Sequence, residues 1–304
     1  MVVFPLPILT QQSSKLQQAA VQSISHNSLK VCVSPPGPYL PSMAAITYPA
    51  VVDAKARVQR GERFSGIFMQ LGSAATVELA SRAGVDFVLL DQEHGLGGED
   101  TLVAQLMAAA GSSTCIPIVR LPANEVHLFK RALDLGACGI MVPWVEDAAG
   151  AARAVAAMHY PPRGVRGLAK TTRATNYGAA FDEYFDSSWG RLLLVAQIET
   201  AQGVAAAAAI AAVEGVDVLF VGPTDLGCSL AGGKPLAFAD PQLVAARRAV
   251  AAAARAAGKA AGILCMLPEH LPLVREEGFT FLMLGSDVSA AAAGLRGVAE
   301  ALRD

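Results

Sequence analysis

Residues 84–95 read Gly-Val-Asp-Phe-Val-Leu-Leu-Asp-Gln-Glu-His-Gly. Phe87–Asp91 reads as a strand, short and unbroken in its apolar character through Leu90. The apolar run stops at Asp91-Gln92-Glu93-His94, where ionisable groups crowd together. A strand that is apolar on both faces belongs in a parallel sheet covered by helices. Charged residues gathered at its C-terminal end belong to the side of such a sheet where loops carry chemistry.

The same pattern recurs on either side. Further strands are expected at Gly66–Gln70, Pro117–Leu121, Gly139–Pro143, Leu192–Ile198, Val218–Gly222, Ala260–Cys265 and Phe279–Gly285. Alanine-rich helical stretches such as Ala74–Ala83, Asn124–Leu135, Ala148–Met158, Pro241–Ala257 and Ser289–Leu302 lie between or after them. Two carry helix-start signals: Asp147 before Ala148, and Asp240 before Pro241. Eight strand-then-helix units in one chain predict a closed (β/α)8 TIM barrel. An open Rossmann-like sheet is the alternative, but no Gly-x-Gly-x-x-Gly opens the first strand–helix turn. The long connection holding Tyr160–Gly167 and Arg173–Gly178 is expected to be functional.

The chain of 304 residues is 53% hydrophobic and 16% charged, with a formal net charge of −2. That length suits one barrel of roughly 250 residues with an appendage. Acidic and basic residues are mixed, so the basic stripe of a nucleic-acid binder is missing. No run of about 20 apolar residues lacks a charge, which argues against a membrane span. The five cysteines are scattered and never spaced Cys-x-x-Cys. That usage points to a reducing compartment with neither structural disulfides nor a thiolate metal site.

Residues 1–52 differ in kind from the single barrel domain expected over 53–304. No acidic residue precedes Asp53, serines are frequent, arginine is absent, and Pro35, Pro36, Pro38 and Pro41 close the segment. Such a composition reads as a transit peptide, of plastid rather than mitochondrial type, which would place the chain in a chloroplast. An unstructured leader of a cytoplasmic protein, or an upstream extension before Met43, is the plainer alternative.

In a barrel the site is found at the C-terminal ends of the strands. Those ends carry Asp91, Glu93 and His94; Arg120; Gln197 and Glu199; Gly222, Thr224 and Asp225; and Ser286 with Asp287. Glu199 and Asp225 follow adjacent strands, which stand roughly 5 Å apart. Two such carboxylates suit a hard divalent ion; carboxylates ion-paired to Arg and Lys at the mouth are the alternative. His94 reads as a general base or as a surface histidine. Arg120 ends an apolar strand and needs an anion, either a substrate carboxylate or enolate or an internal partner. A Schiff-base aldolase requires a lysine at a strand's C-terminal end. Lys259 precedes its strand, Lys130 lies in a helix, and Lys170 and Lys234 lie in loops.

Taken together, several blocks resemble the class II, metal-dependent pyruvate aldolases of the HpcH/HpaI type. That family includes the 4-hydroxy-2-oxoheptanedioate and 2-dehydro-3-deoxyglucarate aldolases. The blocks are residues 84–95, Val119-Arg-Leu-Pro122, Leu133-Asp-Leu-Gly-Ala137, Tyr160-Pro-Pro-Arg-Gly-Val-Arg-Gly167, Gln197-Ile-Glu-Thr200 and Gly222-Pro-Thr-Asp-Leu226. The resemblance implies a barrel of the phosphoenolpyruvate/pyruvate type and a homo-oligomer, often a hexamer. It implies that Glu199 and Asp225 hold Mg²⁺, Mn²⁺ or Co²⁺, that His94 is the base, and that Arg120 stabilises the enolate. It further implies that Asp134 raises the basicity of that histidine, and that Gln197 with backbone donors near Thr224 and Asp225 binds pyruvate. Thr224, Gly227-Cys228-Ser229 and the loop Gly95-Leu-Gly-Gly98 depart from the family pattern, which touches the aldehyde side.

The expected reaction is reversible cleavage of a 4-hydroxy-2-oxo acid into pyruvate and an aldehyde. Arg120→Ala is expected to lower kcat while leaving the fold intact. A catalytically silent barrel acting as a binding subunit, or carboxyl or acyl transfer by the same enolpyruvate chemistry, are the alternatives.

Overall fold

A computed structural model describes residues 51–303, all of which fall within one compact unit spanning Ala44–Asp304. The proposed leader, except for residues 51 and 52, lies outside the described residues. Eight parallel strands close into a barrel in sequence order: β1 (Phe64–Met69), β2 (Phe87–Asp91), β3 (Ile116–Arg120), β4 (Gly139–Val142), β5 (Leu193–Ile198), β6 (Val218–Val221), β7 (Ala260–Cys265) and β8 (Phe281–Ser286). β8 pairs back onto β1, so no sheet edge remains. The expected barrel is observed, with strand limits shifted by at most two residues.

Side chains alternate across the strand wall. Phe87 and Leu89 enter the inner core, whereas Val88 and Leu90 face the surrounding helices. Because both faces are covered, alternation leaves no polar position, which is why the strands read as continuous apolar runs. Phe64, Phe87 and Phe281 stack inside the barrel, with centroids 4.4–5.8 Å apart. Gly66 makes room for them, since a Cβ there would meet the Phe87 ring at 2.5 Å. The barrel is thus a filled core with no pore.

A helix that the sequence reading did not anticipate, α1 (Val51–Gln59), precedes β1. It starts two residues before the expected domain boundary. Ala54 and Val58 join the inner core, so α1 closes the N-terminal end of the barrel. Its Lys55 pairs with Asp217 at 3.1 Å and donates to the Leu192 carbonyl at 2.9 Å. Buried charge of this sort survives only when paired.

Between strands run α2 (Ala74–Arg82), α3 (Glu99–Ala109), α4 (Val126–Asp134), α5 (Ala148–Met158), α6 (Phe181–Arg191), the short α7 (Ala201–Ala205) and α8 (Ala207–Ala211), α9 (Pro223–Ala231), α10 (Pro241–Ala256) and α11 (His270–Glu276). The last helix, α12 (Asp287–Ala301), follows β8. Asp147 and Asp240 cap α5 and α10 as expected, accepting from Gly150 N–H and Gln242 N–H. Among the described residues no helix is long and apolar enough to cross a membrane.

The long connection between β4 and β5, expected to be functional, starts away from the C-terminal ends of the strands. It leaves the end of α5, which has already carried the chain back to the N-terminal side of the barrel. There Arg173 donates to the carbonyls of Leu135 and Leu106, near the ends of α4 and α3. The Leu135 carbonyl at the end of α4 lacks an intrahelical donor and this loop supplies one, whereas the Leu106 carbonyl also accepts the Ala110 N–H.

Candidate active site

Asp91 and Arg120 end adjacent strands and are register partners. Arg120 Nε donates to Asp91 Oδ1 at 2.9 Å and Nη2 to Oδ2 at 2.5 Å. Arg120 Nη1 stands 3.1 Å from Glu93 Oε2. Asp91 also accepts the backbone N–H groups of Glu93 and His94, and the Gln70 side-chain amide. Burial alone would raise the Asp91 carboxyl, but the hydrogen bonds and charge of Arg120 outweigh it and hold the group below the usual range. The internal partner considered for Arg120 is therefore present. The two hydrogen bonds to Asp91 engage two of the five N–H groups a guanidinium carries, and Glu93 adds charge without a hydrogen bond.

Glu199 directly follows β5 and is 2% exposed. Its Oε1 accepts the Trp144 N–H at 2.8 Å, and its Oε2 accepts from the Gln197 side-chain amide. Across the next strand end lies Gly222. A Cβ there would stand 2.8 Å from Glu199 Oε2 and 2.9 Å from Gln197 Nε2. Only a residue without a side chain leaves this cradle open. Asp225 then sits in the first turn of α9, whose first residue is Pro223 and whose N-terminus favours negative charge.

Burial pushes the Glu199 carboxyl up to about 7; the Trp144 N–H opposes this, and the charges of Glu93 and Asp225 add to it. Glu93 is raised as well, mainly by burial, with Arg120 opposing. Four carboxylates, Asp91, Glu93, Glu199 and Asp225, thus influence one another around the single guanidinium of Arg120. Gln197 Oε1 is buried with no hydrogen-bond partner. An uncompensated acidic cluster with an orphaned carbonyl oxygen matches what a hard cation takes as ligands. No group of three or more His, Cys, Asp or Glu side chains is placed to hold an ion among the described residues. Glu199 and Asp225 would therefore share the ion with substrate and water oxygens.

His94 lies on the same rim with its side chain 61% exposed, and its Nε2 is 3.9 Å from Glu93 Oε2. That is an open position from which a base could meet a substrate hydroxyl. Thr224 is exposed beside Asp225. Asp134 does not fit the place implied for it within one chain. It ends α4, just before β4 begins, and so lies at the opposite rim from His94. There it pairs with the fully buried Arg166 at 2.7 Å. Asp287 is also no ligand candidate. It accepts from Gln70 N–H, Leu71 N–H and the Thr76 hydroxyl, tying the β1 turn to β8.

Trp144 escaped the sequence reading. Its neighbours Pro143 and Val145 suggested only a strand end, and its contribution is a backbone N–H, which no residue type discloses.

The model of the family described as HpcH/HpaI aldolase/citrate lyase matches residues 64–293. The 5-keto-4-deoxy-D-glucarate aldolase of Salmonella paratyphi C is 39% identical over 238 residues, covering 78% of this chain and 91% of its own. Among solved structures, an HpcH/HpaI aldolase/citrate lyase family protein from Burkholderia cenocepacia is 34% identical, with a TM-score of 0.78 over 83% of this chain and 99% of that one. The citrate synthase SbnG is 28% identical, with a TM-score of 0.73 over 83% of this chain and 98% of its own.

Proposed function

The chain belongs to the HpcH/HpaI aldolase/citrate lyase family and is an aldolase, a carbon–carbon lyase; from that premise we propose that it cleaves 4-hydroxy-2-oxo acids to pyruvate and an aldehyde at the rim built from Arg120, His94, Glu199 and Asp225. The 5-keto-4-deoxyglucarate skeleton, named for a relative at 39% identity, is the substrate class proposed. The carrying observation is the buried Glu199 beside the open cradle of Gly222, with Asp225 near enough for its charge to raise the Glu199 carboxyl.

A divalent cation, Mg²⁺, Mn²⁺ or Co²⁺, held by Glu199 and Asp225 would supply Lewis acidity toward the 2-oxo group. Arg120, oriented by Asp91, places fixed positive charge where enolate charge grows, and such preorganised charge needs no rearrangement during reaction. His94 takes the proton of the 4-hydroxyl as the C3–C4 bond breaks, directly or through water. Gln197 and the backbone near Thr224 orient the pyruvate half. Phe64, Phe87 and Phe281 fill the barrel beneath and close it to water.

The test is pyruvate release from 4-hydroxy-2-oxo acids, 5-keto-4-deoxy-D-glucarate among them, before and after EDTA and with each ion restored. Release that EDTA abolishes and a dication restores supports the reading; release indifferent to EDTA removes the metal from it. The structural likeness to the citrate synthase SbnG keeps enolpyruvate chemistry on another electrophile, such as carboxyl or acyl transfer, as a second reading. Product analysis with pyruvate and an aldehyde panel separates the two.

A homo-oligomer, a hexamer by the family resemblance, is part of the proposal. Its support is α12, whose Leu295 and Val298 are exposed with Leu302 just after it, and the half-buried outer positions Ile67 and Leu284 of β1 and β8. A plastid address for residues 1–52 rests on composition alone; a fluorescent fusion of that segment tests it.

A further inference from the structure

After β4 the chain turns through Trp144 with φ +53°, in the left-handed region. A bulky residue there is a backbone outlier, and a conformation of that kind is tolerated where function depends on it. The turn brings the Trp144 N–H to Glu199 Oε1 at 2.8 Å. Glycine would deliver the same N–H and adopt the same φ without strain. What tryptophan adds is its ring, and the fold makes little use of it. The residue is 56% exposed, and no ring or cation stacks on it among the described residues.

Position gives that ring a use. Its backbone is fixed to the carboxylate at the centre of the site, and the barrel interior below is filled by phenylalanine rings. A substrate held at Glu199 can therefore extend only outward, past the rim. Leu96 after β2 and Met266 after β7 are exposed on that same rim. An indole can cover roughly 150–250 Å² of apolar surface, far more than a two-carbon aldehyde offers.

Resting on the aldolase reading above, we infer that Trp144 is the wall of the aldehyde subsite, its indole lying along the C–H face of the aldehyde's carbon chain and favouring longer chains over two-carbon ones.

The experiment measures aldol addition of pyruvate, with Mn²⁺ present, to glycolaldehyde and to pentanal. It compares the full-length wild type with Trp144→Gly and Trp144→Phe. The ratio of kcat/KM for pentanal over glycolaldehyde should fall about 10-fold in the glycine variant, mainly through KM, and return most of the way with phenylalanine. Trp144→Asn, which tolerates the left-handed backbone, should fall likewise and serves if the glycine variant purifies poorly. A ratio that stays within twofold overturns the inference. So does a phenylalanine variant no better than glycine, or a change in oligomeric state showing that the ring is buried between copies. Exchange of pyruvate methyl protons with D₂O, which needs the enolate but no aldehyde, is followed in the wild type. Its absence would overturn the enolate reading itself, and the wall with it.

Discussion

Arg120 and Asp91 form a two-pronged ion pair at the ends of neighbouring strands, with both side chains buried. The pair fixes the plane of the guanidinium and shows why Arg120→Ala is a poor probe, contrary to the expectation of an intact fold. Removing the arginine strands a buried carboxylate, which costs about 3–5 kcal/mol.

Arg120→Lys separates the two effects. Lysine keeps a positive charge for Asp91 but cannot reproduce the planar fork. We expect a fold retained by circular dichroism and a kcat lower by ~10²–10³. Steady-state kinetics beside a thermal melt check it; unchanged kcat would remove Arg120 from enolate stabilisation.

Gly222→Ala tests the cradle. Its φ of −90° suits alanine, so any effect arises from the new methyl against Glu199 Oε2 and Gln197 Nε2. Mn²⁺ affinity should weaken by at least about tenfold, as when groups orienting a metal ligand are lost, with little change in Tm. Calorimetric titration reads this directly.

The Glu199 carboxyl, raised to about 7 from an ordinary 4.5, gives the ion-free protein a pH signature. The folded state binds this proton more tightly than the unfolded chain does. The resulting stabilisation is full below about pH 4.5 and is lost as pH rises toward 7. Without a dication, this group should lower Tm between pH 5 and 7.5, and Glu199→Gln should flatten that part of the profile. Added Mn²⁺ should raise Tm more at pH 7.5 than at pH 5, because a proton no longer competes.

Lys55→Met addresses the far end of the barrel. It leaves Asp217 buried without its cation, so stability should drop by about 3–5 kcal/mol while kcat at permissive temperature holds. Urea denaturation with parallel assays checks both halves. A large loss of kcat in folded protein would contradict the separation of the two rims.

Much of this was legible in the chain because parallel strands announce themselves. Phe87–Leu90 has no polar position to confuse its period, and the ionisable cluster after it marks the catalytic rim. The carboxylates of Glu199 and Asp225 could be paired because consecutive strands are neighbours in a barrel. Long-range partners could not be read. Asp287 spends its oxygens on Gln70 and Leu71, 217 and 216 residues away, and within one chain Asp134 meets Arg166. Nor could Trp144, whose role depends on one φ angle and a main-chain N–H. Helix α1 was obscured by the acid-free segment preceding it.

The most direct measurement is Mn²⁺ binding followed by electron paramagnetic resonance, comparing wild type with Glu199→Gln and Asp225→Asn. The account predicts one tightly bound ion per chain in the wild type, and a loss of affinity by two orders of magnitude or more in each variant with the fold unchanged. Variants that bind Mn²⁺ as tightly as the wild type would contradict it.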